Sequence, residues 1–153
     1  MYNHILVAIE HSDSDRAVLD HVEQLARMTG ARLLLVHVAD CWATRAYNEL
    51  KLRDSEEIRD DRDYLARLTD EMARRGFKTH ARLAMGDPAT ELVKVAAEEA
   101  VDLIAMSTHG HRFLNDLLRG STADRVRHNV EIPVLMVRAV KAPAGVAREA
   151  NAR

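Results

Sequence analysis

Four apolar runs limit what this chain can become: Ile5 to Ile9, Ala31 to Val38, Val101 to Met106 with Asp102 interrupting, and Val134 to Val137. They are too continuous for strands with one wet face, and strands of this kind belong to a parallel sheet covered by helices on both sides. The first two runs, with the helical pattern between them, form a βαβ unit with a right-handed crossover. A fifth, weaker strand reads from Phe77, Thr79, Ala81 and Leu83 alternating with Lys78, His80 and Arg82, as at a sheet edge. Five strands alternating with helices predict a single doubly wound α/β sheet with helices on both faces. Such sheets bind ligands beyond the carboxyl ends of the strands, where strand order reverses.

The segments between the strands carry helix signals. Ser12 or Asp13 is placed to cap a helix whose apolar positions Val18, Val22, Leu25 and Ala26 recur until Gly30 stops it. A loop with Cys41, Trp42 and Tyr47 follows, then a charged helix from about Glu49 to Arg75 with the stripe Ile58, Leu65, Leu68 and Met72. Its charge run, Arg53 to Asp63, reads as a solvated face. Gly86-Asp87-Pro88-Ala89 opens the next helix with a capping Asp and Pro at the first helical position. A last helix, 122–129, leads into the final strand. Residues 1–140 form one domain; 141–153, Ala-rich and without apolar periodicity, are expected to be a disordered tail.

Composition excludes several classes. The 22 Lys and Arg are balanced by 24 acidic residues, a formal charge of -2, so no polycationic footprint for nucleic acid exists. No stretch approaches the ~20 apolar residues that span a bilayer, and no leader pattern opens the chain, so a cytoplasmic location is expected. One cysteine cannot form an internal disulfide.

The chemistry concentrates in Ala105 to Thr122, A-M-S-T-H-G-H-R-F-L-N-D-L-L-R-G-S-T. A strand runs into a glycine-bearing loop and reaches Gly120-Ser121-Thr122 at a helix start, where free amides and hydroxyls favour a phosphate. It is neither a Walker A loop nor G-x-G-x-x-G. It resembles the nucleotide motif of the universal stress protein family, G-x-x-G, nine residues, then G-S/T. Gly110 is the second glycine, residues 111–119 are the nine, Gly120-Ser121 close the motif, and Ser107 replaces the first glycine. The resemblance spans about residues 3–138 through Ile5 to Ile9, Leu34 to Val38, Gly86 to Ala89 and Ile132 to Val137.

That resemblance implies a Rossmann-like fold of the adenine nucleotide alpha hydrolase-like type, strand order 3-2-1-4-5, with the crevice between strands one and four. It also implies a regulatory stress-response protein that binds ATP, or AMP or ADP, with Mg²⁺ or Mn²⁺, and dimerises with a second copy through Val134 to Val137. By position, Ala8 and Glu10 end strand one, with Glu10 holding the sugar, and Val38 offers main chain to the adenine. The phosphate role falls on Ser107, Gly110, Gly120, Ser121 and Thr122, and Ala8, Met106, Thr108, His109 and Arg112 complete the cofactor-binding set. Glu10 stands where Asp is usual and His11 where Gly is frequent. Ser107 fits only if its backbone avoids positive φ.

Other readings compete. The glycines also suit a ligand-free turn, Ser121 and Thr122 plain caps, and Arg112 a solvated surface, leaving a nucleotide-free dimeric interaction module as the alternative. No dedicated base, loop lysine or Walker B carboxylate is apparent, so at most slow ATP hydrolysis is expected. An adenylylating enzyme would need a further substrate-binding region. His109, His111, His11 and Glu10 form a weak metal candidate, outranked by a metal accompanying the phosphates.

Overall fold

The computed structural model describes residues 1–39, 56–108 and 121–139. Its elements are β1 (His4–Ile9), α1 (Ser14–Thr29), β2 (Arg32–Ala39), α2 (Glu56–Arg74), β3 (Thr79–Met85), α3 (Pro88–Glu98), β4 (Leu103–Ser107), α4 (Ser121–Asn129) and β5 (Val134–Val137). All strand pairs are parallel and their order is β3-β2-β1-β4-β5, as the resemblance implies. The loop holding Cys41, Trp42 and Tyr47, the expected helix start at Glu49 and residues 140–153 lie outside the described residues.

Successive strand residues face opposite ways, so each apolar run feeds two cores. Ile5, Val7, Ile9, Leu33, Leu35, Leu103 and Ala105 pack under α1 and α2 against Val18, Leu19, Val22, Leu65, Leu68 and Met72. Leu6, Ala8, Leu34, Val36, Ile104 and Met106 pack under α3 and α4 against Leu92, Val95, Ala96 and Val126. Each fully buried side chain of this size contributes about 1.5–3 kcal/mol over its exposed state. Asp102, which interrupts the third run, accepts bonds from the amides of Asn3 (2.7 Å) and His4 (3.1 Å) just before β4 begins.

Two local expectations change. Asp13 is the N-cap of α1 but has helical angles (φ -60, ψ -20) and no capping bond from its side chain. The Asp15 carboxylate instead folds back to accept from the amides of Glu10 (2.8 Å) and Ser12 (3.1 Å), while Ser12 Oγ accepts from Ser14 N at 3.3 Å. In β3, Ala81 is exposed and Arg82 half-buried, so the alternation fails. The edge strand has one neighbour, and the acids ending α3 draw Arg82 to that side through bonds to Glu98 (2.6 Å) and Glu99 (3.4 Å).

Candidate functional site

With β1 central, strands two and three are added on one side and strands four and five on the other, so the strand order reverses between β1 and β4. That reversal opens a crevice beyond the carboxyl ends of the strands. It brings the loop after β1 beside the end of β4 although about a hundred residues separate them in sequence. Ala8 and Met106 turn their side chains into the core under α3 and α4, and half-buried Val38 packs on the same core. Ser107 is the last residue of β4, is buried, and is not among the positive-φ residues, so it meets the backbone condition set for it. The amide of Thr108 already donates to Val137 O at 3.0 Å, extending the β4–β5 ladder. Ser121 begins α4 and Thr122 lies half-buried in its first turn, whereas His109, Gly110, Arg112 and Gly120 lie outside the described residues.

Glu10, at the tip of β1, is half-buried, and its Oε2 accepts from Ser14 Oγ at 3.3 Å. Burial first, then the nearby Asp15 carboxylate, push the Glu10 carboxyl up to about 7, against the Ser14 bond. Asp15 is buried and also accepts from the hydroxyl of Tyr64, on α2, at 2.9 Å. One carboxylate thus ties the loop after β1 to both helices covering that face.

A second buried carboxylate, Asp61 on α2, holds the same loop from the other side. Its Oδ1 lies 2.6 Å from Nδ1 of His11 and its Oδ2 3.2 Å from Nε2 of His37. His37, on β2, has Nδ1 2.7 Å from Ile9 O. The His11 ring stacks on Tyr64 at 4.1 Å and 15°. This anchoring holds His11 at φ 57, a left-handed conformation that costs a residue with a Cβ about 1–2 kcal/mol. A glycine needs no such support, so H11A should be less stable than H11G by about 1 kcal/mol in urea unfolding. The reverse order would mean that the backbone there is not left-handed.

Sequence reasoning missed Asp15, His37, Asp61, Tyr64 and Arg125. Most of the described charge run is solvated as expected, but Asp61 is 6% exposed. A signal existed: Ile58, Asp61, Leu65, Leu68 and Met72 follow one buried stripe at spacings of three and four. Asp87 caps α3 by accepting from Thr90 N at 2.9 Å, as expected. It also receives both Nη atoms of Arg125 on α4, at 2.9 and 2.8 Å. The Arg125 guanidinium, then the Thr90 bonds, hold the Asp87 carboxyl well below the usual carboxylate range. Of the metal candidate, His109 and His111 are outside the described residues. Among those residues, no three His, Cys, Asp or Glu side chains are grouped to hold a metal. No helix among them is long and apolar enough to cross a membrane.

A parallel sheet ordered 3-2-1-4-5 defines a doubly wound α/β protein, a class that binds ligands outside the carboxyl ends of its strands where the order reverses. Residues 1–138 match the model of the universal stress protein family, and the chain belongs to that family. Universal stress protein MJ0577 of Methanocaldococcus jannaschii is 27% identical over 90% of this chain and 96% of its own. Its solved structure superposes with a TM-score of 0.77 at 29% identity, covering 93% of this chain and 99% of that one. A universal stress protein from Thermus aquaticus is 32% identical over 90% of this chain and all (100%) of its own. The Archaeoglobus fulgidus universal stress protein, solved in complex with dAMP, shares the fold with a TM-score of 0.67 at 24% identity, over 89% of this chain and 98% of its own.

Proposed function

We propose that the protein binds an adenine nucleotide, ATP or else AMP or ADP, in the crevice between β1 and β4 and acts in the cytoplasm as a regulatory stress-response protein. The observation that carries this reading is the meeting of the Glu10 to Ser12 loop with the end of β4 at the strand reversal. In it, Glu10 receives a sugar hydroxyl, main chain near Val38 meets the base, and the stretch from Ser107 to Thr122 takes the phosphates. Mg²⁺ or Mn²⁺ enters with the phosphates. The dAMP bound to the Archaeoglobus protein is chemistry of the same class. Occupancy is read out through a homodimer along β5, an edge strand whose Met136 is 38% exposed.

Calorimetric titration of purified protein with ATP and Mg²⁺ should give saturable binding, weakened in E10A by about 1–3 kcal/mol. No saturation at millimolar nucleotide overturns the reading. That result would favour a nucleotide-free dimeric interaction module, which the Thr108 amide, already engaged by Val137, supports.

A further inference from the structure

We propose that His11 is a fixed hydrogen-bond acceptor at the mouth of the crevice, selecting a nucleoside that presents a donor there, with Asp61 and His37 as its positioning residues. This rests on the adenine-nucleotide reading and adds the group that sets its preference. The argument starts at Ile9, whose carbonyl can only accept. His37 Nδ1, 2.7 Å away, therefore carries a proton, and the His37 ring is fixed with Nε2 toward Asp61 Oδ2 at 3.2 Å. So held, the Asp61 carboxylate offers Oδ1 to His11 Nδ1 at 2.6 Å. Both oxygens of that carboxylate accept, so His37 Nε2 and His11 Nδ1 both face it as donors, and in the neutral His11 ring Nε2 is left with its lone pair.

The ring cannot easily turn. Tyr64 stacks on it, and the His37 ring meets it edgewise at 6.4 Å and 88°. Tyr64 is itself tied to buried Asp15. Yet the His11 side chain is 24% exposed, and among the described residues Nε2 has no partner. A non-glycine backbone at φ 57, braced by buried ionisable groups on two other elements, is more support than packing alone requires. An oriented imidazole lone pair accepts from a sugar hydroxyl or an exocyclic amine and rejects a carbonyl oxygen in the same place.

The test compares affinities for ATP, ITP, 2′-deoxy-ATP and 3′-deoxy-ATP. ITP replaces the exocyclic amine with a carbonyl; the deoxy compounds each remove one hydroxyl. Wild-type protein should disfavour at least one analogue by roughly tenfold, the scale of one hydrogen bond. Loss against ITP assigns the amine, and loss against a deoxy compound assigns that hydroxyl. In H11G, whose backbone suits φ 57, the preference should vanish. It should vanish in D61A too, but persist in D61N, because a carboxamide can still accept from His11 Nδ1, while its NH2 pairs with His37 Nε2 once that nitrogen is without a proton. Nitrogen-15 spectra should show the His11 proton on Nδ1 in wild type and D61N, and a tautomer mixture in D61A. Unchanged preferences in H11G, no preference in wild type, or a proton on Nε2 each overturn this inference alone. Failure of wild type to bind any nucleotide overturns the nucleotide reading and this inference with it.

Discussion

E10Q should raise the thermal unfolding midpoint at about pH 8 by roughly 4–8 °C and flatten the fall in stability between about pH 4.5 and 7. The Glu10 carboxyl sits at 4.5 when free of the fold and is raised to about 7 within it. The folded state therefore holds this proton where the unfolded chain has released it. Stability from this group is complete below the unfolded value and is lost as pH rises through the folded one. Taken in full, the shift corresponds to about 3 kcal/mol, and the remaining contact with water lowers that to about 2. Glutamine keeps the shape and can still accept from Ser14 without ionising. Wild type and E10Q should therefore converge at about pH 4.5 and separate above it. Parallel stability curves across that range would show that Glu10 titrates as an ordinary carboxyl.

D61A should cost about 3–5 kcal/mol in urea unfolding, and D61N no more than about 1. The alanine variant strips two imidazoles of one shared partner: it leaves His37 Nε2 enclosed without a bond and removes the anchor that offsets the left-handed backbone of His11. The carboxamide keeps an acceptor for His11 Nδ1 and puts an NH2 where Oδ2 accepted, which pairs with His37 Nε2 once that nitrogen is without a proton. Similar losses in both variants would mean that Asp61 acts through its charge rather than through its hydrogen bonds.

The two-sided core was legible because it follows from continuous apolar runs, whose meaning depends only on local periodicity; the strand order came from the family resemblance instead, since periodicity does not say which strands are neighbours. Cap residues were half legible. Asp87 behaves as Asp before Pro does, whereas Asp13 gives way to Asp15, because a side chain within the first turn of the helix can reach back over the loop before it. The network around His11 was hidden for another reason. Its members come from β1, β2 and α2, and Asp61 stands among solvated charges, so only its place on the apolar stripe of α2 set it apart. The glycine pattern led to the expectation of an anion site, but nothing in it indicates that the Thr108 amide already has a partner, which depends on the length of β5.

Asp102 has a consequence beyond its two amide bonds. Where a strand is greasy on both sides, sliding it by one step against its neighbour exposes nothing polar, so water does not punish the slip. The carboxylate at the floor of the sheet does. It grips two consecutive amides leading into β1, and a one-step shift would leave at least one of them bare. Alignment of the two inner strands, and with it the height of their carboxyl tips, is set from the opposite end of the sheet.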